Sequence, residues 1–132
     1  MHEHSHKLMV NQTPMKGVHY ILDVYGYDVG PDESAEWWKS TLLVIFKNSP
    51  LIVLHHHFHN FSPHGLTGFL LLSASHLSIH TWPEHRYIAI DLFSCLGEKQ
   101  TLPVLDALLS RIPHSSHNLK IISRGYQPEG SL

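Results

Sequence analysis

The chain is short of cysteine, of net charge and of long apolar runs, and each shortage excludes something. Cys95 is the single cysteine in 132 residues, so no disulfide can form within the chain, and a reducing cytoplasm is the expected setting. Nine Lys and Arg against eleven Asp and Glu leave a formal charge of −2. That is too small a bias for the electrostatic footprint of a nucleic-acid partner or an anionic membrane surface. No apolar run approaches the ~20 residues that cross a bilayer. The opening residues Met1-His2-Glu3-His4-Ser5-His6-Lys7 lack the apolar core of a signal peptide. What remains is ordinary for a soluble globular protein: 42% hydrophobic and 15% charged residues, in a chain long enough for one domain with a real core. The one surplus is histidine, fourteen in all, which makes the charge rise steeply below about pH 6.5.

Three segments are expected: a loose histidine-rich tail over 1–16, a single domain over 17–125, and a C-terminal tail over 126–132. His2, His4 and His6 could hold a metal in passing, but a solvated tail is the expectation. Residues 18–25, rich in β-formers and stopped by Gly26, predict a first strand. Asp32 or Ser34 can cap a helix running to about Lys47, with Trp37, Trp38, Leu42, Ile45 and Phe46 on one face. A second strand is expected from Leu51 on through His55-His56-His57-Phe58-His59-Asn60-Phe61. Its histidines invite a zinc reading. However, His55, His57 and His59 share a strand face that His56 opposes, and no cysteine or carboxylate lies among them to close a four-ligand site. A histidine-rich strand edge, with no metal, is the expectation. Ser62-Pro63-His64-Gly65 turns the chain into a strand over 66–73, followed by strands over 77–82 and 87–95. A second helix over 102–112 places Leu102, Leu105, Leu109 and Ile112 together, and a short strand over 119–123 ends the domain. The order predicts an α+β fold: an antiparallel sheet with two amphipathic helices on one face. The other face then needs a partner, so a dimer is expected.

One stretch does not read as structure alone. Ser73-Ala74-Ser75-His76-Leu77-Ser78-Ile79-His80-Thr81-Trp82-Pro83-Glu84 follows an apolar run and alternates with period two from Leu77 to Trp82. Leu77, Ile79 and Thr81 face one way, and Ser78, His80 and Trp82 the other. A core strand does not need His80, Trp82 and Glu84 on one side, whereas a site does.

The stretch from Phe61 to Cys95, F-S-P-H-G-L-T-G-F-L-L-L-S-A-S-H-L-S-I-H-T-W-P-E-H-R-Y-I-A-I-D-L-F-S-C, resembles the core of prokaryotic S-adenosylmethionine decarboxylase. The similar element order extends over roughly residues 17–125. The resemblance implies a dimeric, self-processing enzyme that cuts its own backbone before a serine and turns that serine into a pyruvoyl group. It implies S-adenosylmethionine as substrate and a product that supplies aminopropyl groups for spermidine. By motif position, Ser75 is the precursor of the pyruvoyl group, cut from Ala74. His80 falls on the processing histidine, Thr67 on the hydroxyl that assists processing, and Cys95 on the catalytic cysteine. Phe61 and Trp82 fall on the two aromatics that sandwich adenine, and Glu84 on the ribose-binding glutamate. Three positions depart from the pattern: Ala74 stands for the usual glutamate, Thr67 for serine, and His64 for glutamine. The acyl shift needs only the carbonyl of residue 74, so Ala74 bears on the rate of cleavage and on contacts with substrate.

The chemistry suits these residue types. A decarboxylase must hold the electron pair left when carbon dioxide departs. A ketone conjugated to an amide can form a Schiff base with the substrate amine and accept that pair. Making it needs a serine hydroxyl to attack the preceding carbonyl, then a base to take the serine α-proton. Imidazole, titrating near neutral pH, is suited to that second task. A thiol at a strand end can return a proton, aromatic faces suit adenine and a sulfonium cation, and a carboxylate suits vicinal hydroxyls. Taken singly, each residue has a plain structural role: Ser75 in a hairpin turn, His80 half-buried, Cys95, Phe61 and Trp82 in the core, Glu84 in a solvated turn. Their joint spacing favours the site. Two alternatives stay open: decarboxylation of another amino acid such as ornithine or arginine, and an unprocessed, non-catalytic relative that acts as a binding or regulatory subunit.

Overall fold

Six strands and two helices follow one another in the computed structural model, which describes residues 16–125. They are β1 (Gly17–Tyr25), α1 (Ala35–Lys47), β2 (Val53–Asn60), β3 (Leu66–Leu72), β4 (Ser75–Trp82), β5 (Tyr87–Ser94), α2 (Glu98–Arg111) and β6 (Ser116–Arg124), with a 3₁₀ turn, Pro83–His85, between β4 and β5. The strands form one sheet in the order β2-β3-β4-β5-β1-β6, antiparallel throughout. The order follows from hairpins: β2 to β5 run up and down in sequence, and β1 and β6 complete the far edge. This is the α+β architecture expected, with both helices on one face. The proposed tails lie largely outside the described residues, as do His2, His4 and His6.

The buried face is written in alternate residues. Val18, Tyr20, Leu22 and Val24 of β1, Leu66, Leu70 and Leu72 of β3, Leu77 and Ile79 of β4, and Ile88, Ile90 and Leu92 of β5 are all buried. Against them pack Trp38, Leu42, Ile45 and Phe46 of α1, spaced three and four apart. Ser34 caps α1, its Oγ accepting the Trp37 N–H at 3.0 Å. α2 begins at Glu98, earlier than its apolar pattern announces. Its first turn, Glu98-Lys99-Gln100, is polar, and Gly97 takes the cap position. A carboxylate there meets the positive end of the helix dipole, so the turn is stable without any apolar signal. Val104 and Leu108 join Leu102, Leu105 and Ile112 in the core. β4 starts at Ser75 rather than 77, and β6 runs over 116–124 rather than 119–123, because strand pairing with β3 and with β1 extends both. Among the described residues no helix is long and apolar enough to cross a membrane.

The opposite face has no helix over it. The register aligns its residues in rows: His59, Thr67, His80, Ala89, Asp23 and Asn118 in one, and His57, Phe69, Ser78, Asp91, Ile21 and Lys120 in the next. Phe69, Leu71 and Ile122 are exposed there. His55, His57 and His59 point to this side and His56 to the other, on the edge strand β2. Among the described residues no group of three or more histidine, cysteine or acidic side chains is placed to hold a metal.

Candidate active site

Two clusters form at opposite ends of β4. At its beginning, Ser73 and Ala74 make the tight turn from β3, and Ser75 pairs with Leu72 behind it and Ser94 beside it. The Ser75 hydroxyl is buried and finds no hydrogen-bond partner among the described residues. A buried polar group left unpaired costs about 1–3 kcal/mol. Just past the end of β5, the Cys95 N–H donates to the Ala74 carbonyl at 2.9 Å. The thiol of Cys95 is exposed, beside a cavity of 240 Å³ walled by Lys16, Gly17, Val18 and Glu98. Ala74, Ser75 and Cys95 are therefore brought together by one hairpin turn and one strand end.

At the far end of β4 the register sets Thr67 opposite His80, and Thr67 Oγ1 lies 3.0 Å from His80 Nδ1. Trp82, two residues on, is on the same face. Its ring stacks on Tyr87 (centroids 5.2 Å, planes 26° apart), which stacks in turn on Tyr25 (5.5 Å, 21°). This three-ring ladder was not anticipated from the sequence. Its only trace is an aromatic residue at the end of one strand and the start of another, and the β1–β5 register joins them. The Tyr87 hydroxyl donates to Asp23 at 2.5 Å. That bond, with burial and the Asp23 charge adding to it, pushes the phenol up to about 12, so Tyr87 stays a neutral donor and a fixed stacking platform.

Phe61 follows β2, its N–H donating to the Gly65 carbonyl at 2.8 Å. Gly65 holds φ +89, and a Cβ there would lie 2.6 Å from the Thr81 carbonyl oxygen, so no other residue fits without displacement. Extending the register one step aligns Phe61, Gly65 and Trp82 across neighbouring strands. The outer two backbones are then ~9.6 Å apart, with only a glycine between. Phe61 is 51% and Trp82 39% exposed, so both rings are open to solvent over part of their surface. A cavity of 310 Å³ beside Phe61 is walled by Glu33, Asn60, His64 and Thr81. Glu33 is held in that wall by the Tyr27 hydroxyl at 2.7 Å and Trp38 Nε1 at 3.0 Å. Burial, then the bond to Glu33, pushes the Tyr27 phenol well up.

Two placements differ from the sequence reading. The strand alternation stops at Trp82, so Glu84 does not share a face with His80 by strand period. It sits exposed on the 3₁₀ turn that follows, closed by Arg86 in the left-handed region at φ 51. The second concerns Ser75 and His80. Five residues along a strand separate them by ~17 Å, and an odd separation puts their side chains on opposite faces. Within one chain, Thr67 and His80 meet, and Ala74, Ser75 and Cys95 meet, but the two groups do not.

Residues 18–125 match the family model for S-adenosylmethionine decarboxylase. The S-adenosylmethionine decarboxylase proenzyme of Sulfurihydrogenibium sp. is 40% identical over 112 residues, spanning 85% of this chain and 84% of that protein. The proenzyme of Aquifex aeolicus is 31% identical over 115 residues, 87% and 85% of the respective chains. The crystal structure of the adenosylmethionine decarboxylase from Aquifex aeolicus aligns with a TM-score of 0.79 at 29% identity, covering 91% of this chain and 99% of that one.

Proposed function

Because the chain belongs to the S-adenosylmethionine decarboxylase family, we propose that it decarboxylates S-adenosylmethionine with a pyruvoyl group made from its own Ser75. The observation that carries this reading is the buried, unpartnered Ser75 hydroxyl next to an Ala74 carbonyl held by the Cys95 N–H. A buried hydroxyl with no hydrogen-bond partner among the described residues is available as a nucleophile, so the residues present fit the precursor of the group. Once formed, the group supplies an electron sink for the pair left by departing carbon dioxide.

Making it is the work of the chain. Ser75 Oγ adds to the Ala74 carbonyl carbon, and the Cys95 N–H faces the oxygen that gains charge. The peptide C–N bond breaks, the hydroxyl proton passes to the nitrogen, and an ester joins Ala74 to Ser75. His80, held by Thr67, is the base for the Ser75 α-proton. Its removal expels the Ala74 carboxylate with the ester C–O electron pair, and water then releases ammonia. In the mature enzyme Phe61 and Trp82 hold the adenine, Glu84 accepts from the ribose hydroxyls, and Cys95 returns the proton to substrate carbon. The product supplies aminopropyl groups for spermidine. A thiol with that duty suits a reducing compartment, the cytoplasm.

The base and the serine belong to different chains in this reading. A second copy laid on the open sheet face covers Phe69, Leu71 and Ile122. A homodimer thereby completes each site with Thr67 and His80 of one protomer and Ser75 and Cys95 of the other. Denaturing mass spectrometry tests the reading. It predicts fragments 1–74 and 75–132, the second blocked to Edman degradation, and carbon dioxide released from S-adenosylmethionine. A single 15.1 kDa species that releases none would overturn it.

Trp82→Ala separates binding from processing. Base stacking on an aromatic contributes ~1–3 kcal/mol, so KM for S-adenosylmethionine is expected to rise about tenfold or more while cleavage proceeds. An unchanged KM with cleavage lost would assign Trp82 to the fold.

A further inference from the structure

Two fully buried hydroxyls stand behind the turn that carries Cys95, beside the buried Tyr20 phenol. Ser94 ends β5 and Thr101 lies in the first turns of α2, both at 0% exposure. Their bonds link both sides of the turn to the helix. The Leu96 N–H donates to Ser94 Oγ at 3.1 Å. Ser94 Oγ lies 2.9 Å from Thr101 Oγ1, and Thr101 Oγ1 donates to the Gly97 carbonyl at 3.0 Å. Either hydroxyl can be the donor in the bond between them, and the Leu96 carbonyl, 3.5 Å from Ser94 Oγ, is a further acceptor. The relay therefore ties both sides of the Ser94–Gly97 turn to the start of α2. Such a closed set of buried bonds is rigid when every member is satisfied.

We propose that Ser94 and Thr101 are positioning residues for self-cleavage, a role that rests on the assignment of Ser75 as the processed serine. Two consequences follow from the relay. It fixes the turn so that the Cys95 N–H meets the Ala74 carbonyl oxygen at 2.9 Å, the atom that must carry charge when Ser75 attacks. It also occupies Ser94. In the β4–β5 register Ser94 is directly opposite Ser75, with both side chains on the helix-covered side, so its hydroxyl is a candidate partner for Ser75 Oγ. Ser94 Oγ is thus engaged by the Leu96 N–H and Thr101, and the Ser75 hydroxyl has no partner among the described residues. Removing the Thr101 hydroxyl frees Ser94 to pair with Ser75 and loosens the Cys95 amide together, and both changes slow the acyl shift.

The test uses the full chain in a His80→Ala background, where elimination is blocked and the ester can be read as the fraction of chain cut by hydroxylamine. Loss of a well-aimed donor to a developing oxyanion costs about 10²–10³ in rate, and a donor only loosened costs part of that. Thr101→Val is expected to lower the hydroxylamine-sensitive fraction formed in a fixed time at least tenfold, and Thr101→Ser to restore it. In the otherwise native chain the same pair should show slow and near-normal cleavage, with near-ultraviolet circular dichroism unchanged. Should Thr101→Val not fold, Ser94→Ala takes its place, since it deletes the other hydroxyl of the relay and opens only a small space. A relay variant that folds and forms ester at the parent rate overturns the proposal, as does a loss that Thr101→Ser does not repair. Failure of the underlying assignment is distinguishable: the native chain and the His80→Ala parent would then show neither cleavage nor ester.

Discussion

Ser75→Ala is expected to leave the chain whole under all conditions, and His80→Ala to halt one step later with an ester in its backbone. Both variants should fold. Ser75→Ala deletes a hydroxyl that has no partner among the described residues, so it removes an unfavourable burial rather than a bond. His80 is half-buried on the open sheet face, bonded to Thr67 and tilted against the Trp82 ring, so its truncation falls in the range of ordinary partly exposed substitutions. The chemistry separates them. Without Oγ no ester can form, and the amide between residues 74 and 75 resists hydroxylamine. With Oγ but no base, the acyl group can move to oxygen and stay there, and hydroxylamine then cuts between Ala74 and Ser75. Mass spectrometry of treated and untreated chains reads both outcomes. Two fragments from Ser75→Ala would place the cut elsewhere and remove Ser75 as the source of the pyruvoyl group. Hydroxylamine resistance in His80→Ala would mean that the ester does not accumulate and that His80 acts at or before the shift.

What could be read without the structure was local. Period-two alternation marks β1, β4 and β5 because one face of each is buried under helices. α1 is announced by Ser34 and by its three-and-four spacing. The start of α2 was not legible, since Glu98-Lys99-Gln100 has no apolar period and is held by charge near a helix terminus and by the buried Thr101 behind it. Register was the larger omission. Nothing in the linear order says that Cys95 reaches back twenty-one residues to the carbonyl of Ala74, or that Ser94 lies opposite Ser75. The Tyr25–Tyr87–Trp82 ladder is likewise a product of pairing among β1, β5 and β4. The spacing of five between Ser75 and His80 is short in sequence. In a strand it is ~17 Å and a change of face. The motif keeps both residues in one short segment, while the fold assigns them to different ends of a strand.

That separation makes a mixture of two inactive chains informative. If His80 of one protomer serves Ser75 of the other, co-expressing Ser75→Ala with His80→Ala should restore cleavage, and in one chain only. A mixed dimer has two sites. In one, the intact Ser75 of the His80→Ala chain faces the intact His80 of the Ser75→Ala chain, and in the other both are missing. Random pairing by a two-fold interface puts about half of the chains in mixed dimers. About half of the His80→Ala chain should therefore be cut between Ala74 and Ser75, and none of the Ser75→Ala chain. Tags of different mass distinguish the two on one gel. The same preparation should regain decarboxylation in proportion to the cut chain, because the surviving site also holds an intact Cys95. If the His80→Ala chain stays whole in a mixture shown by sedimentation to contain mixed dimers, His80 acts on no partner, and the composite site is wrong. Sedimentation as monomers alone would remove the dimer and the composite site together.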